Sequence, residues 1–272
     1  MPGIILVLIR QITTLRQDIK ASIKLSPLWL HLSWTEIKLR YRGTVIGPFW
    51  TSISMAVFIT AIGLIFSQTW GGLDTAEYLP YLAAGYLSWM LIFQIIVDGS
   101  SSLIKASGYI KQMPLPFTLF AFVNVTQNSI VFLHHLLVFF VLVLIFDINI
   151  NTNTLLLLPA LILLCINGLW MSTFMGMVVA RYRDIEPLTT NILQIALFVT
   201  PIIWPFERLP EGRKILVDIN PFFHFIQIVR SPLLGQSPSL LNWQVCLGIT
   251  VIGIVVTTYV FNRVRSRIVF WL

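Results

Sequence analysis

Three basic residues at alternate positions, Lys38, Arg40 and Arg42, stand directly before Gly43-Thr-Val-Ile-Gly-Pro48 and a long apolar run. Cationic side chains at such a boundary face anionic headgroups, and anchoring to lipid is their plainest role. Other residues that could do chemistry are sparse. His134 and His135 are adjacent and so point in different directions, which argues against a two-His metal site. Cys165 and Cys246 are the only cysteines, both inside apolar segments, where they read as small packing residues. There is no G-x-x-x-x-G-K-[ST] phosphate loop, no H-E-x-x-H and no G-x-S-x-G. Asp98 is the charge nearest to any span interior, whereas ion-coupled transporters and channels keep ionisable groups at depth. The chain carries no visible energy source of its own.

The elements that position these residues belong to an integral membrane protein. With 57% hydrophobic and 11% charged residues over 272 positions, the chain lies far outside soluble usage. Ile4 to Ile9 is too short for a secretory h-region, so no cleaved leader is expected. A spanning helix needs about 20 apolar residues. Six candidates occur, at Pro48 to Gln68, Leu79 to Val97, Phe117 to Phe146, Leu155 to Ala180, Thr189 to Trp204 and Trp243 to Phe261. The fifth is short and ends irregularly at Pro201 and Pro205. Asn124, Gln127, Asn128, His134 and His135 give the third a polar side suited to helix-to-helix hydrogen bonds.

Orientation follows from Lys and Arg, which are in excess in short cytoplasmic loops. Seven precede the first span, two lie between spans two and three, two between four and five, and three at the end, against four in the segment after span five. Both termini are therefore expected in the cytoplasm. The nine tryptophans fall mostly near predicted span ends, as interfacial belts require. An aromatic channel on which sugar rings stack is the sharper alternative, with Trp50 and Trp204 as candidate linings.

Three segments are not spans. Leu28 to Arg42 reads as a helix with two apolar stripes, Leu30, Trp34, Ile37 and Tyr41 against Leu28, Leu32 and Leu39. Two stripes suit a helix held between the bilayer and another protein surface, and Gly43, Gly47 and Pro48 end it. Leu103 to Met113 reads as a short helix stopped by Pro114. Asn220 to Gly235, "NPFFHFIQIVRSPLLG", is an apolar run bracketed by prolines, either re-entrant or lying in the outer headgroup region.

Together, "LRYRGTVIGPFW", "YIKQMPLP", "ARYRDIEP", "VTPIIWP" and "NPFFHFIQIVRSPLLG" resemble the membrane subunits of ABC-2 polysaccharide exporters, closest to the O-antigen branch and similar to the teichoic-acid branch. The resemblance covers about Leu28 to the C-terminus. It implies an all-α integral membrane fold of six transmembrane helices, divided into a cytoplasmic segment 1–47 and a transmembrane domain 48–272. It places an N-terminal amphipathic interface helix on Leu28 to Arg42, a coupling helix on Leu103 to Met113, and a re-entrant outer hairpin between helices 5 and 6 at Pro221 to Leu234.

The resemblance also implies a homodimer in the bacterial inner membrane. Two cytoplasmic ATPase subunits would carry the ATP and Mg, with no cofactor bound by this chain, and the cargo would be a polysaccharide linked to undecaprenyl diphosphate. Arg40, Arg42 and Lys38 are then candidates to meet the diphosphate, since guanidinium groups pair phosphates in a fork. Leu103, Ile104, Lys105, Tyr109, Lys111, Arg181 and Arg183 are candidates for the ATPase contact, and Pro221, Phe222, Phe223, Phe225 and Pro232 for the outer gate. An ABC-2 permease for a drug or another lipid, a polyprenyl-phosphate-dependent membrane transferase and a structural scaffold are the competing readings. Only scattered carboxylates are found where the transferase would cluster them.

Overall fold

The computed structural model describes residues 14–47, 49–69 and 74–272. Pro48, Trp70 and the run Ile4 to Ile9 lie outside the described residues. Those described are almost entirely helical, with no strand among them. In chain order the helices are α1 (Leu15–Lys24), α2 (Ser26–Arg40), α3 (Phe49–Thr69), α4 (Thr75–Lys105), α5 (Ser107–Gln112) and α6 (Thr118–Phe146). There follow α7 (Leu157–Arg181), α8 (Ile185–Val199), α9 (Glu211–Asp218), α10 (Pro221–Leu233) and α11 (Leu240–Trp271).

Five stretches among the described residues are long and apolar enough to cross a membrane: Phe49–Phe66, Thr75–Gln112, Thr118–Phe146, Thr152–Arg181 and Leu240–Trp271. The all-α membrane class stands. The expected fifth span differs, because α8 begins at Ile185 and stops at Val199, before Pro201. Its 15 residues reach about 22 Å at about 1.5 Å each, short of the roughly 30 Å hydrocarbon core.

At the centre is α4, packed by α3, α6, α7, α8 and α10. It is longer than the run Leu79 to Val97 suggests, since the polar stretch Asp98 to Ser102 continues the helix to Lys105. Ser100 and Ser102 donate to the carbonyls of Val97 and Gly99 at 2.7 Å, so their hydroxyls need no water. Gly99 makes the packing possible: a Cβ there would meet Ser172 Oγ at 2.5 Å and Asn124 Nδ2 at 2.9 Å. At this crossing Asn124 Nδ2 donates to the Ile95 carbonyl at 2.9 Å and to Ser172 Oγ at 2.7 Å, joining α6 to α4 and α7. The polar side of span three is thus an interhelical seam. His134 instead bonds within its own helix, through Nδ1 to the Ile130 carbonyl at 2.7 Å.

A second apolar cluster closes the end of the bundle that carries α1, α2 and α5, here the basic end. It contains Leu15, Leu103, Ala106, Ile110, Phe117 and Phe261. Asp18 of α1 is fully buried within it and accepts from both the backbone N and Oγ1 of Thr118, each at 2.8 Å. Phe117, the residue before α6, has no capping side chain, and Asp18 supplies that cap from a distant helix. Arg265 Nε of α11 lies 3.8 Å from Asp18 Oδ1, an ion pair too long to be a hydrogen bond. Burial pushes the Asp18 carboxyl above its ordinary value, outweighing the lowering by the Thr118 hydrogen bonds and Arg265. Residues 15–24, whose role the sequence leaves open, tie three elements together.

Candidate functional site

At the basic end, α2 runs along α6 and ends at Arg40. Its two apolar stripes divide differently from the sequence expectation: Ile37 and Ser33 are buried, while Leu30, Trp34 and Leu39 are exposed. The chain then turns through Gly43 and Gly47, at φ +83° and +60°. These are left-handed values that glycine adopts without strain.

The three basic residues part company here. Arg40 Nη2 lies 3.1 Å from Asp98 Oδ2, and Lys105 Nζ lies 3.6 Å from the other oxygen of that carboxylate. Lys38 sits over the Trp34 ring at 5.4 Å, and Arg42 is exposed in the turn. Glu36 accepts from Gln127 Nε2 of α6. Glu36, Arg40, Asp98, Lys105 and Gln127 border a cleft of about 70 Å³ where α2, α4 and α6 meet. Arg40 is therefore already shared with a carboxylate, which any phosphate ligand must displace or join.

The expected Leu103 to Met113 helix is two pieces. Leu103, Ile104 and Lys105 form the last turn of α4, and the chain breaks at Ala106 before α5. Leu103 is 3% exposed and packs in the basic-end cluster, so it does not present itself as a surface contact. Lys105, Tyr109 and Lys111 are exposed, Ile104 is half-buried, and Ile110 pins α5 to the bundle. Arg181 and Arg183 are exposed at the end of α7 and in the turn after it, where Arg181 covers the rings of Tyr182 and Trp271 at 5.2 and 5.1 Å.

At the opposite end α10 is a continuous helix despite Pro232 in its last turn. Among the gate candidates Phe223, Phe225 and Pro232 are buried, Phe222 is half-buried and Pro221 is exposed. With both faces covered by α4, α7 and α11, α10 does not fit a helix lying loosely on a surface. Trp50 is exposed at the start of α3 and Trp204 is half-buried beyond α8, so they mark opposite ends. Trp204 Nε1 donates to the Phe198 carbonyl at 2.9 Å.

The residues that hold this end were not singled out in the sequence. Beyond α8, the non-helical stretch Thr200 to Pro205 exposes carbonyls that an apolar surrounding cannot satisfy. Tyr78 OH donates to the Ile203 carbonyl at 2.5 Å, and Tyr81 OH reaches those of Pro201 and Trp204 at 3.4 Å. Arg230 Nη2 of α10 donates to the Pro201 carbonyl at 2.8 Å, with its guanidinium carbon 4.1 Å from the Tyr81 ring centroid. A Cβ on Gly85 would collide with that guanidinium, so the glycine gives Arg230 its place against α4. The signal available in the sequence was a lone charge inside an apolar helical run, which reads as functional by default.

A family model described as ABC-2 type transporter matches residues 27–234, from the start of α2 to the end of α10. The chain belongs to the ABC-2 type transporter family. As an ABC-2 chain it is a transporter membrane subunit, and the matched region holds α2 to α10, including the Arg40–Asp98 and Arg230–Pro201 contacts. It is similar to the O-antigen export system permease protein RfbA of Myxococcus xanthus, 21% identical over 201 residues, covering 71% of this chain and 75% of the relative. It is also similar to the protein of the same name from Klebsiella pneumoniae, 20% identical over 236 residues, covering 85% and 90%.

Proposed function

We propose that this ABC-2 chain is the permease of an ATP-driven exporter that moves an undecaprenyl-diphosphate-linked polysaccharide, O-antigen foremost, out across the bacterial inner membrane. The observation that carries this reading is the similarity to two O-antigen export permeases over most of both chains. In this reading the basic end faces the cytoplasm with both termini. Two copies of the chain pair in the membrane, and two ATPase subunits dock beneath them.

The geometry supports each part. Exposed Lys105, Tyr109 and Lys111 on α4 and α5 stand at the foot of the most buried of the spanning helices, so a push there would be transmitted along α4. Apolar side chains exposed on α3 (Trp50, Ile53, Val57) and α8 (Ile192, Ile195, Phe198) offer surface to lipid or to a second copy. Arg40 and Arg42 stand at the turn into α3, where a lipid diphosphate at headgroup level would arrive. The buried α10, next to an irregular stretch whose carbonyls are held by Tyr78 and Arg230, is suited to opening as an outer gate.

Deleting the gene and quantifying surface polysaccharide together with undecaprenyl-linked glycan inside the cell tests the reading. Lost surface glycan with trapped inner precursor is the expected result. Normal surface glycan with no trapped precursor moves the assignment to a drug or another lipid, and loss of the precursor itself moves it to a polyprenyl-phosphate transferase.

A further inference from the structure

At the end opposite the basic residues, a cavity of about 360 Å³ lies between α10, the start of α11 and Tyr81 of α4. That size falls within the roughly 300–1,000 Å³ of small-ligand sites. Arg230 lines it and is 1% exposed. One of its nitrogens is used on the Pro201 carbonyl and its guanidinium lies against Tyr81, while Nε and Nη1 meet no hydrogen-bond acceptor among the described residues. A buried guanidinium with donors left over demands acceptor atoms, because an unmatched buried cation is strongly destabilising. The rim has the complementary chemistry. Glu207 and Asp218 are exposed carboxylates that accept hydrogen bonds, and Phe206 and Phe223, edge to face at 5.0 Å between centroids, present apolar ring surface.

We propose that this cavity is a binding site for a neutral saccharide unit. Arg230 donates to sugar oxygens, Glu207 and Asp218 accept from hydroxyls, and the Phe206 and Phe223 rings cover the C–H face. A sugar hydroxyl both gives and takes a hydrogen bond, so it uses the guanidinium and the carboxylates at once. A free phosphate would gain one cation and meet two anions, which disfavours it. The site rests on the export reading only for the source of the sugar. Placed beside the gate helix, it would hold a unit of the glycan as it leaves the bundle.

The test uses the full chain in nanodiscs of phosphatidylethanolamine and phosphatidylglycerol. The probes are the host's own surface glycan freed from its lipid by mild acid, maltotriose, and inorganic phosphate. Saturation-transfer NMR should show contact to ring protons of the host glycan, at least about tenfold weaker in Arg230→Gln and in Glu207→Ala. Equal signals in wild type and variants overturn the site, as does phosphate binding without saccharide binding. If Arg230→Gln does not fold, Glu207→Ala and Asp218→Ala, both at exposed positions, carry the test. Should the host glycan bind while gene deletion leaves surface glycan intact, the export reading fails and the site stands. Export that depends on the gene with no saccharide bound fails the site alone.

Discussion

Asp98 joins the ends of two helices: one carboxylate oxygen lies 3.1 Å from Arg40 Nη2 on α2, and the other 3.6 Å from Lys105 Nζ at the foot of α4. The Arg40 and Asp98 side chains are 41% and 23% exposed, so solvent screens the pair and it contributes at most about 1 kcal/mol. Its importance is in what it withholds. Asp98→Asn should leave unfolding nearly unchanged and release Arg40. In the proposed export role it should bind undecaprenyl diphosphate several-fold tighter, while Arg40→Ala with Arg42→Ala weakens binding and abolishes export with the ATPase still bound. Isothermal titration on nanodisc samples distinguishes these, and unchanged affinity in both variants removes Arg40 from the ligand.

Reversing charge at Lys105 and Lys111 should uncouple ATP hydrolysis from substrate, because both are exposed beside the α4–α5 break. The readout is the substrate-stimulated ATPase rate of the assembled complex. Normal stimulation places the docking surface elsewhere.

Tyr78→Phe removes only a hydroxyl but leaves the Ile203 carbonyl without that donor. A buried acceptor left unsatisfied costs about 1–3 kcal/mol. Hydrogen exchange should rise selectively across Thr200 to Pro205, with α6 and α7 unchanged.

Gly99→Val should be poorly tolerated, since even a Cβ meets Ser172 Oγ at 2.5 Å and the Ser172 Cα at 2.9 Å. Overpacking of this kind costs about 1–3 kcal/mol. A lowered Tm that Ser172→Ala restores only in part is the expected result, because the backbone contact remains.

Asp18 predicts a pH dependence whose sign follows from its raised carboxyl. Between the ordinary value of 3.8 and the higher folded value, the folded chain holds more protons than the unfolded one. Its contribution is therefore fully present below 3.8 and declines as pH rises through that window. Asp18→Asn, which still accepts from Thr118, should flatten the slope. Asp18→Ala forfeits both Thr118 bonds and should cost about 1–3 kcal/mol. Protease protection of α1 against pH measures both.

The spans at α3, α6, α7 and α11 were legible because a run of apolar residues long enough to cross hydrocarbon is a local property of the chain. Gly43 and Gly47 were legible as a turn for the same reason. The extension of α4 was not. Asp98 to Ser102 reads as a polar loop until one sees each serine bonded to its own helix and Gly99 pressed against α7. Leu103 shows the same limit from the other side, since an apolar residue in a short loop looks available for docking and is in fact core.

The sequence by itself determined that the chain is a helical membrane protein of ABC-2 character, with fourteen of its eighteen basic residues expected on one side. Hydropathy, charge placement and turn residues act over a few neighbouring positions and need no partner to be read. Only the tertiary structure decided which charges are spent on other residues and which remain for a ligand. Arg40 met Asp98 across 58 positions, Asp18 met Thr118 across 100, and Arg230 met Pro201 across 29. Such pairings depend on helix crossings set by side-chain volume throughout the bundle, and no local window of sequence contains them.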